Sequence, residues 1–130
     1  MTTQNSGAVF KLKFHLVWCP KYRLKVLIDK VEVRLKQLIE EKASEINLDI
    51  ESLEIMPDHV HLFISSNNTL LSPAKIAAQF KGYTSNVLRK EFKHLTTKMP
   101  TLWSRSYYIG SVGHISESAV KKYIENQKKR

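Results

Sequence analysis

Two spacings in this chain bring together residue types that could do chemistry. In His59-Val60-His61 the imidazoles are two residues apart, and Val60, Leu62 and Ile64 alternate with His59, His61, Phe63 and Ser65. On a strand that period of two places both imidazoles on one face, where they can hold a cation. Tyr123 and Gln127 are four residues apart in a segment with helical patterning, so the phenol and the carboxamide share one side of a helix. A phenol with a pKa of about 10 attacks a phosphodiester only if it loses its proton and the phosphate charge is neutralised, and a divalent cation can do the second. Two neutral imidazoles and a carboxamide oxygen leave coordination positions open, a mixed shell that suits Mn²⁺, accepts Mg²⁺ and by ligand type also admits Zn²⁺. Each feature has a plainer reading: surface histidines on a strand, and a helix tyrosine with its hydroxyl at the rim of the core. Asp58 could accept a hydrogen bond from a ligating imidazole and set its tautomer, or be an ordinary turn aspartate.

The elements that must position these residues follow from periodicity. Phe10, Leu12, Phe14, Leu16 and Trp18 alternate with Lys11, Lys13, His15, Val17 and Cys19 in a first strand that Pro20 ends. Asp29 can cap a helix with Val31, Leu35, Leu38, Ile39 and Ile46 at helical spacing. Leu48 to Met56 and His59 to Ser66 form a hairpin about Pro57-Asp58. Ser72 as N-cap and Pro73 at the first helical position open a long helix striped by Ile76, Phe80, Tyr83, Val87 and Leu88, with Gly82 its weak point. A polar connection containing Pro100 leads to a fourth strand over Tyr107 to Val112, and Ser116 can cap a last helix. This order predicts an α+β fold, a ferredoxin-like or RRM-like βαββαβ antiparallel sheet with helices on one face plus a C-terminal helix carrying the tyrosine, strands one and three being neighbours. One domain is expected over residues 1–130, with a flexible tail at 1–8 and the C-terminal helix at 115–130.

Composition narrows the partners. The chain has 130 residues, 42% hydrophobic and 25% charged, without an apolar run long enough to span a bilayer and without a signal peptide, so a cytoplasmic protein with no membrane association is expected. Cys19 is the only cysteine and reads as a buried thiol, because no histidine pairs with it in the sequence. Lys and Arg number 21 against 12 Asp and Glu, a net charge of +9. Polyanions are the natural partners. Lys11, Lys13 and Arg23 around the first strand, Lys81 and Arg89 on the second long helix, Arg105, and Lys121 and Lys122 beside Tyr123 are candidate DNA contacts. Trp103, Tyr107 and Tyr108 could stack unpaired bases or belong to the core. His15, His94 and His114 carry weaker signals and read as solvated or structural. No glycine-rich phosphate loop is present, which argues against a nucleotide cofactor.

Met56-Pro57-Asp58-His59-Val60-His61-Leu62 and Val120-Lys121-Lys122-Tyr123-Ile124-Glu125-Asn126-Gln127 resemble the single-tyrosine HUH transposases of small bacterial and archaeal insertion sequences. The resemblance extends to Phe14-His15-Leu16-Val17-Trp18-Cys19-Pro20-Lys21-Tyr22-Arg23, Phe80-Lys81-Gly82 and Leu102-Trp103-Ser104-Arg105-Ser106-Tyr107-Tyr108, nearly the whole chain. It implies that His59, His61 and Gln127 ligate Mg²⁺ or Mn²⁺ and that Tyr123 attacks single-stranded DNA to form a 5′-phosphotyrosine link with a free 3′-OH. Rejoining would then need no ATP. It further implies recognition of hairpins at element ends by a homodimer, with the tyrosine helix of one subunit completing the histidine site of the other. Two other readings are a non-catalytic module binding single-stranded nucleic acid and a domesticated HUH nuclease acting on repeat hairpins.

Overall fold

In a computed structural model, the described residues are 3–5, 8–10, 12–66, 71–111 and 117–127. The alternating segments β3 (Leu12–Trp18) and β5 (His59–Ser66) become the two central strands of a four-stranded antiparallel sheet. The outer strands are β4 (Asp49–Met56) and β6 (Tyr108–Ser111), giving the order β4-β5-β3-β6. Leu16 faces Leu62 and Val17 faces His61 across the central pair, while Val17 also faces Tyr108 on the other side. This register sends Phe14, Leu16, Trp18, Val60, Leu62 and Ile64 to one face, all buried. They pack under α1 (Asp29–Glu45), through Val31, Leu35, Leu38 and Ile39, and α2 (Pro73–Glu91), through Ile76, Phe80 and Leu88. The opposite face carries His15, Val17, His59, His61, Phe63 and Ser65. The expected α+β sheet, with its first and third strands adjacent and its two long helices on one side, is the architecture found.

Local chemistry explains most element ends. Ser72 accepts from the Lys75 backbone N–H and Pro73 fills the first helical position of α2. At the end of α1, Asn47 takes a left-handed φ of 59° while Leu48 N–H bonds Ala43 O and Asn47 N–H bonds Ser44 O. This Schellman closure consumes Leu48, so the second strand of the sheet starts at Asp49. Asp29 is not the N-cap that its position suggests. Ile28 holds that place without a side-chain bond, and Asp29, with φ of 55°, is the first residue of α1. Its carboxylate still lies in the first turn with Glu32, where negative charge suits the helix dipole. The residues after α2 contain a short helix, α3 (His94–Thr97), which periodicity does not foretell. At the other end of the chain, β1 (Thr3–Asn5) pairs with β2 (Ala8–Phe10) where sequence suggests a tail, so Phe10 lies outside the strand that begins at Leu12.

A pillar of aromatic rings stands under one end of the sheet. Trp18 stacks on Phe80 at 6.3 Å and meets Trp103 edge-on at 5.8 Å. Trp103 is 5% exposed, so of its two readings, base stacking or core, it takes the second. Its indole N–H donates to Thr84 Oγ1 at 3.0 Å, inside α2. Pro20, just past β3, bridges to Trp103, and Ser104 N–H bonds Cys19 O, so the chain entering residues 104–106 is anchored to the central strand. Among the described residues no helix is long and apolar enough to cross a membrane.

Candidate functional site

The histidine half of the site is built on the sheet. His59 and His61 share the open face of β5, as the alternation requires, and both are half-buried. His59 Nδ1 lies 2.9 Å from Asp58 Oδ1, so the imidazole donates to that carboxylate from Nδ1. Asp58 is thus hydrogen-bonded to His59 and is more than a bare turn residue. Its other oxygen meets Arg23 Nε at 3.1 Å. His61 Nε2 lies 2.9 Å from His15 Nδ1, a diagonal contact across the central pair, and His15 stacks flat on Phe63 at 4.3 Å. Burial lowers the pKa of both His61 and His15, and for His61 the neighbouring His15 lowers it further. Both rings are thus biased toward the neutral form that a metal ligand needs.

The tyrosine half is built on α4 (Glu117–Gln127). Gln127 is only 3% exposed, and its Oε1 accepts from Ser106 Oγ at 2.8 Å and Ser104 Oγ at 3.2 Å. The Tyr123 hydroxyl lies 3.1 Å from the same Ser106 Oγ. Because Ser106 gives its proton to Gln127, the consistent arrangement has Tyr123 donating to Ser106. Phenol and carboxamide thus meet at one hydroxyl, and the Tyr123 ring lies 6.2 Å from that of Tyr108 on β6. The i, i+4 geometry predicted for this pair is what aligns them. The Ser116 cap and His114 lie outside the described residues.

Lys81 holds the serines in place. Its Nζ donates to the carbonyls of Ser104, Arg105 and Ser106 at 2.8, 3.2 and 3.1 Å and lies 5.8 Å from the Tyr107 ring centroid. Burial pulls this ammonium down to about 8, while three carbonyl dipoles converge on it. Of the candidate DNA contacts, Lys81 thus directs its ammonium inward. Arg23 does the same toward Asp58 and Ile124 O, and Arg89 Nη1 donates to Met99 O at 3.3 Å. Lys13, Arg105, Lys121 and Lys122 are exposed, and Lys11 lies outside the described residues. Cys19 is fully buried, and desolvation, with Asp58 nearby, pushes its thiol up to about 12, which makes it an inert core group.

Sequence reasoning does not find Ser104, Ser106, Lys81's inward role or the His15 contact. The last had a signal: a histidine on the less apolar face of a central strand must share the open face with the histidines of its neighbour. Serines and a lysine on a helix carry no comparable mark.

Among the described residues no group of three or more His, Cys, Asp or Glu side chains is arranged to hold a metal ion. A cation at His59 and His61 would therefore need a ligand of another type, and a carboxamide is one. Imidazoles are suitable ligands by type: His59 is held by Asp58 through Nδ1, while His61 Nε2 is engaged by His15 Nδ1 in this arrangement. Gln127 Oε1 is committed to two serine hydroxyls in this arrangement.

Comparison with known proteins gives the family. Residues 8–127 match the family described as "Transposase IS200 like". The ISDra2 transposase TnpA of Deinococcus radiodurans is 35% identical over 123 residues, covering 93% of this chain and 87% of the relative. A crystal structure of a protein assigned as a transposase in Deinococcus radiodurans R1 superposes with a TM-score of 0.83 at 33% identity, covering 96% of this chain and 97% of the other. A REP-associated tyrosine transposase bound to a REP hairpin shares the fold alone, with a TM-score of 0.55 at 10% identity over 96% of this chain and 69% of that one. The matched span contains both imidazoles, the tyrosine and the carboxamide, and by that match the chain belongs to the IS200-like transposases, enzymes that cut and rejoin DNA.

Proposed function

We propose that this transposase cleaves and rejoins single-stranded DNA at insertion-sequence ends, with Tyr123 as nucleophile and His59, His61 and Gln127 as the ligands of a divalent metal, Mg²⁺ or Mn²⁺. The observation that carries the reading is the convergence of Tyr123 and Gln127 on the Ser106 hydroxyl. It supports a phenol and a carboxamide acting at one point. The bound metal would neutralise charge on the scissile phosphate. Tyr123 Oη would attack phosphorus as its phenolic proton passes to solvent, and the bond from phosphorus to the 3′ oxygen would break, that oxygen taking a proton from solvent to give a free 3′-OH beside the 5′-phosphotyrosine. The ester energy is kept in the new link, so a second 3′-OH can reverse the step without ATP.

For Gln127 to ligate, its carboxamide must exchange the serine hydroxyls for the metal, and a shift of α4 on the sheet or its supply by a second copy would allow that exchange. We therefore include a homodimer with composite sites, the helix acting in trans, in the proposal. The exposed Lys13, Arg105, Lys121 and Lys122 would neutralise DNA phosphates, and hairpin ends would be the recognised form.

A labelled single-stranded oligonucleotide carrying an element-end hairpin, incubated with protein and Mn²⁺ or Mg²⁺ and run on a denaturing gel, tests this. The wild-type chain should give a denaturant-resistant adduct; Tyr123→Phe should give none while keeping hairpin binding. An adduct with Tyr123→Phe would discard the assigned nucleophile. Binding without any adduct in the wild type would leave a non-catalytic nucleic-acid module.

A further inference from the structure

We propose that Arg23 is a positioning residue, a clasp that locks the carboxylate orienting His59 to the helix that carries Tyr123. The inference deepens the proposed function and rests on that reading of the site. Arg23 Nε meets Asp58 Oδ2 at 3.1 Å, and the other oxygen of Asp58 meets His59 Nδ1 at 2.9 Å. Arg23 Nη1 donates to the carbonyl of Ile124, the residue after Tyr123, at 3.2 Å. One planar guanidinium thereby touches both halves of the site, across more than a hundred residues of chain.

A further observation agrees: the turn that aims Arg23 is unusual, because Tyr22 and Arg23 both hold left-handed φ values, 59° and 52°. A left-handed backbone is unfavourable for non-glycine residues, and here two occur in succession. The turn is held by Lys21 N–H on Leu102 O and Arg23 N–H on Pro20 O, both 2.8 Å. Strain of this kind persists where surrounding structure imposes it, and here its product is the direction of one side chain. Arg23 and Asp58 side chains are 20% and 16% exposed, so the pair is shielded and its geometry is held better than that of a surface ion pair.

The test uses the full chain with Arg23→Gln, Arg23→Lys, Asp58→Asn and the double variant. Amide hydrogen exchange is read without metal, and Mn²⁺ affinity by electron paramagnetic resonance. Arg23→Gln should speed exchange over residues 118–127 about tenfold, leave residues 60–64 unchanged, and weaken Mn²⁺ binding about tenfold, near the lower end for groups that orient a ligand. Arg23→Lys should recover part of both, because it keeps the charge and loses the fork. The double variant should loosen α4 no more than Arg23→Gln alone. If Arg23→Gln instead changes only oligonucleotide affinity, reducing its salt slope by about one, Arg23 is a phosphate contact and the clasp is wrong. Additive effects of Arg23→Gln and Asp58→Asn on α4 exchange would also overturn it. Should Arg23→Gln fail to fold, Asp58→Asn decides alone, since unchanged α4 exchange in that variant refutes the proposal. Absence of any covalent adduct in the wild type would count against the proposed function, while the exchange data would still judge the clasp.

Discussion

Thr84→Val isolates the support beneath residues 104–106. Thr84 is fully buried, and its Oγ1 is the acceptor for Trp103 Nε1 at 3.0 Å. Valine keeps the shape and removes the acceptor, leaving a buried indole N–H unpaired, a loss of about 1–3 kcal/mol. The hydroxyl also donates to Phe80 O at 2.7 Å, but that carbonyl lies inside α2, where the helix backbone supplies a donor. The added methyl packs among apolar neighbours and returns up to ~0.8 kcal/mol. A net destabilisation of about 1–2 kcal/mol follows. Unfolding entropy near 2.1 cal/mol/K per residue makes roughly 0.27 kcal/mol/K for a chain of this length, so Tm should fall by about 4–7 °C. Thermal and urea unfolding, monitored by tryptophan fluorescence, measure it, with Thr84→Ser as the comparison that keeps the hydroxyl and loses a methyl. A Thr84→Val protein as stable as the wild type would refute the reasoning, because the bond would then be worth no more than a methyl group. Trp18 Nε1 is already a buried N–H without a hydrogen-bond partner among the described residues, so a second beside it has little room for relief.

Two more perturbations follow from the same packing. A Cβ at Gly82 would meet nothing within 4 Å, and no left-handed φ is required of it, so Gly82→Ala should stabilise α2 by about 0.5–1 kcal/mol. Thermal unfolding should show a Tm higher by ~2–4 °C, and a lower Tm would mean that the open space is not open. Burial holds the folded pKa values of both His15 and His61 below the ordinary histidine value. Between the folded value and that of the unfolded chain, the unfolded chain binds more protons, so stability is fully present above the unfolded value and falls as pH drops through this window. His15→Phe keeps the stack on Phe63 and removes one titrating ring beside His61; the loss of urea stability from pH 8 to pH 5 should be smaller than in the wild type, and an equal or larger loss would contradict the assignment.

What was legible in the sequence was what depends on local period. Alternation through Leu12 to Trp18 and His59 to Ser66 is enough to put both imidazoles on one face, and Ser72-Pro73 is enough to start α2. The four-residue gap from Tyr123 to Gln127 is enough to align their side chains. Asp29 was misleading because its side chain could cap, yet the backbone turned one residue earlier through Ile28. Leu48 looked like strand because its side chain is apolar, whereas its backbone N–H closes α1. The clustering of basic residues gave the sign of the partner but not the individual contacts: Arg23, Lys81 and Arg89 are placed by tertiary acceptors that no spacing reveals. Ser104 and Ser106 are the sharpest case. Their importance comes from the convergence of α4, the end of β3 and Lys81 at separations of about twenty residues or more, and serine is too common for its type to announce it.

The two halves of the site are held by forces of different size, which determines how each responds to change. The imidazoles stand on the central strands, whose other face is the main core, so displacing them means disturbing Leu16, Val60, Leu62 and Ile64. Substitutions there are felt as folding free energy, several kcal/mol for a large-to-small change. The polar contacts described for the tyrosine helix, from Ser104 and Ser106 to its side chains and from Arg23 to Ile124 O, are each worth about 0.5–3 kcal/mol. Breaking one of them leaves the packing of Leu16, Val60, Leu62 and Ile64 untouched, so the sheet and α4 answer to different substitutions. That is why the polar clasps, not the core, are where substitutions should separate alignment of the site from stability of the fold.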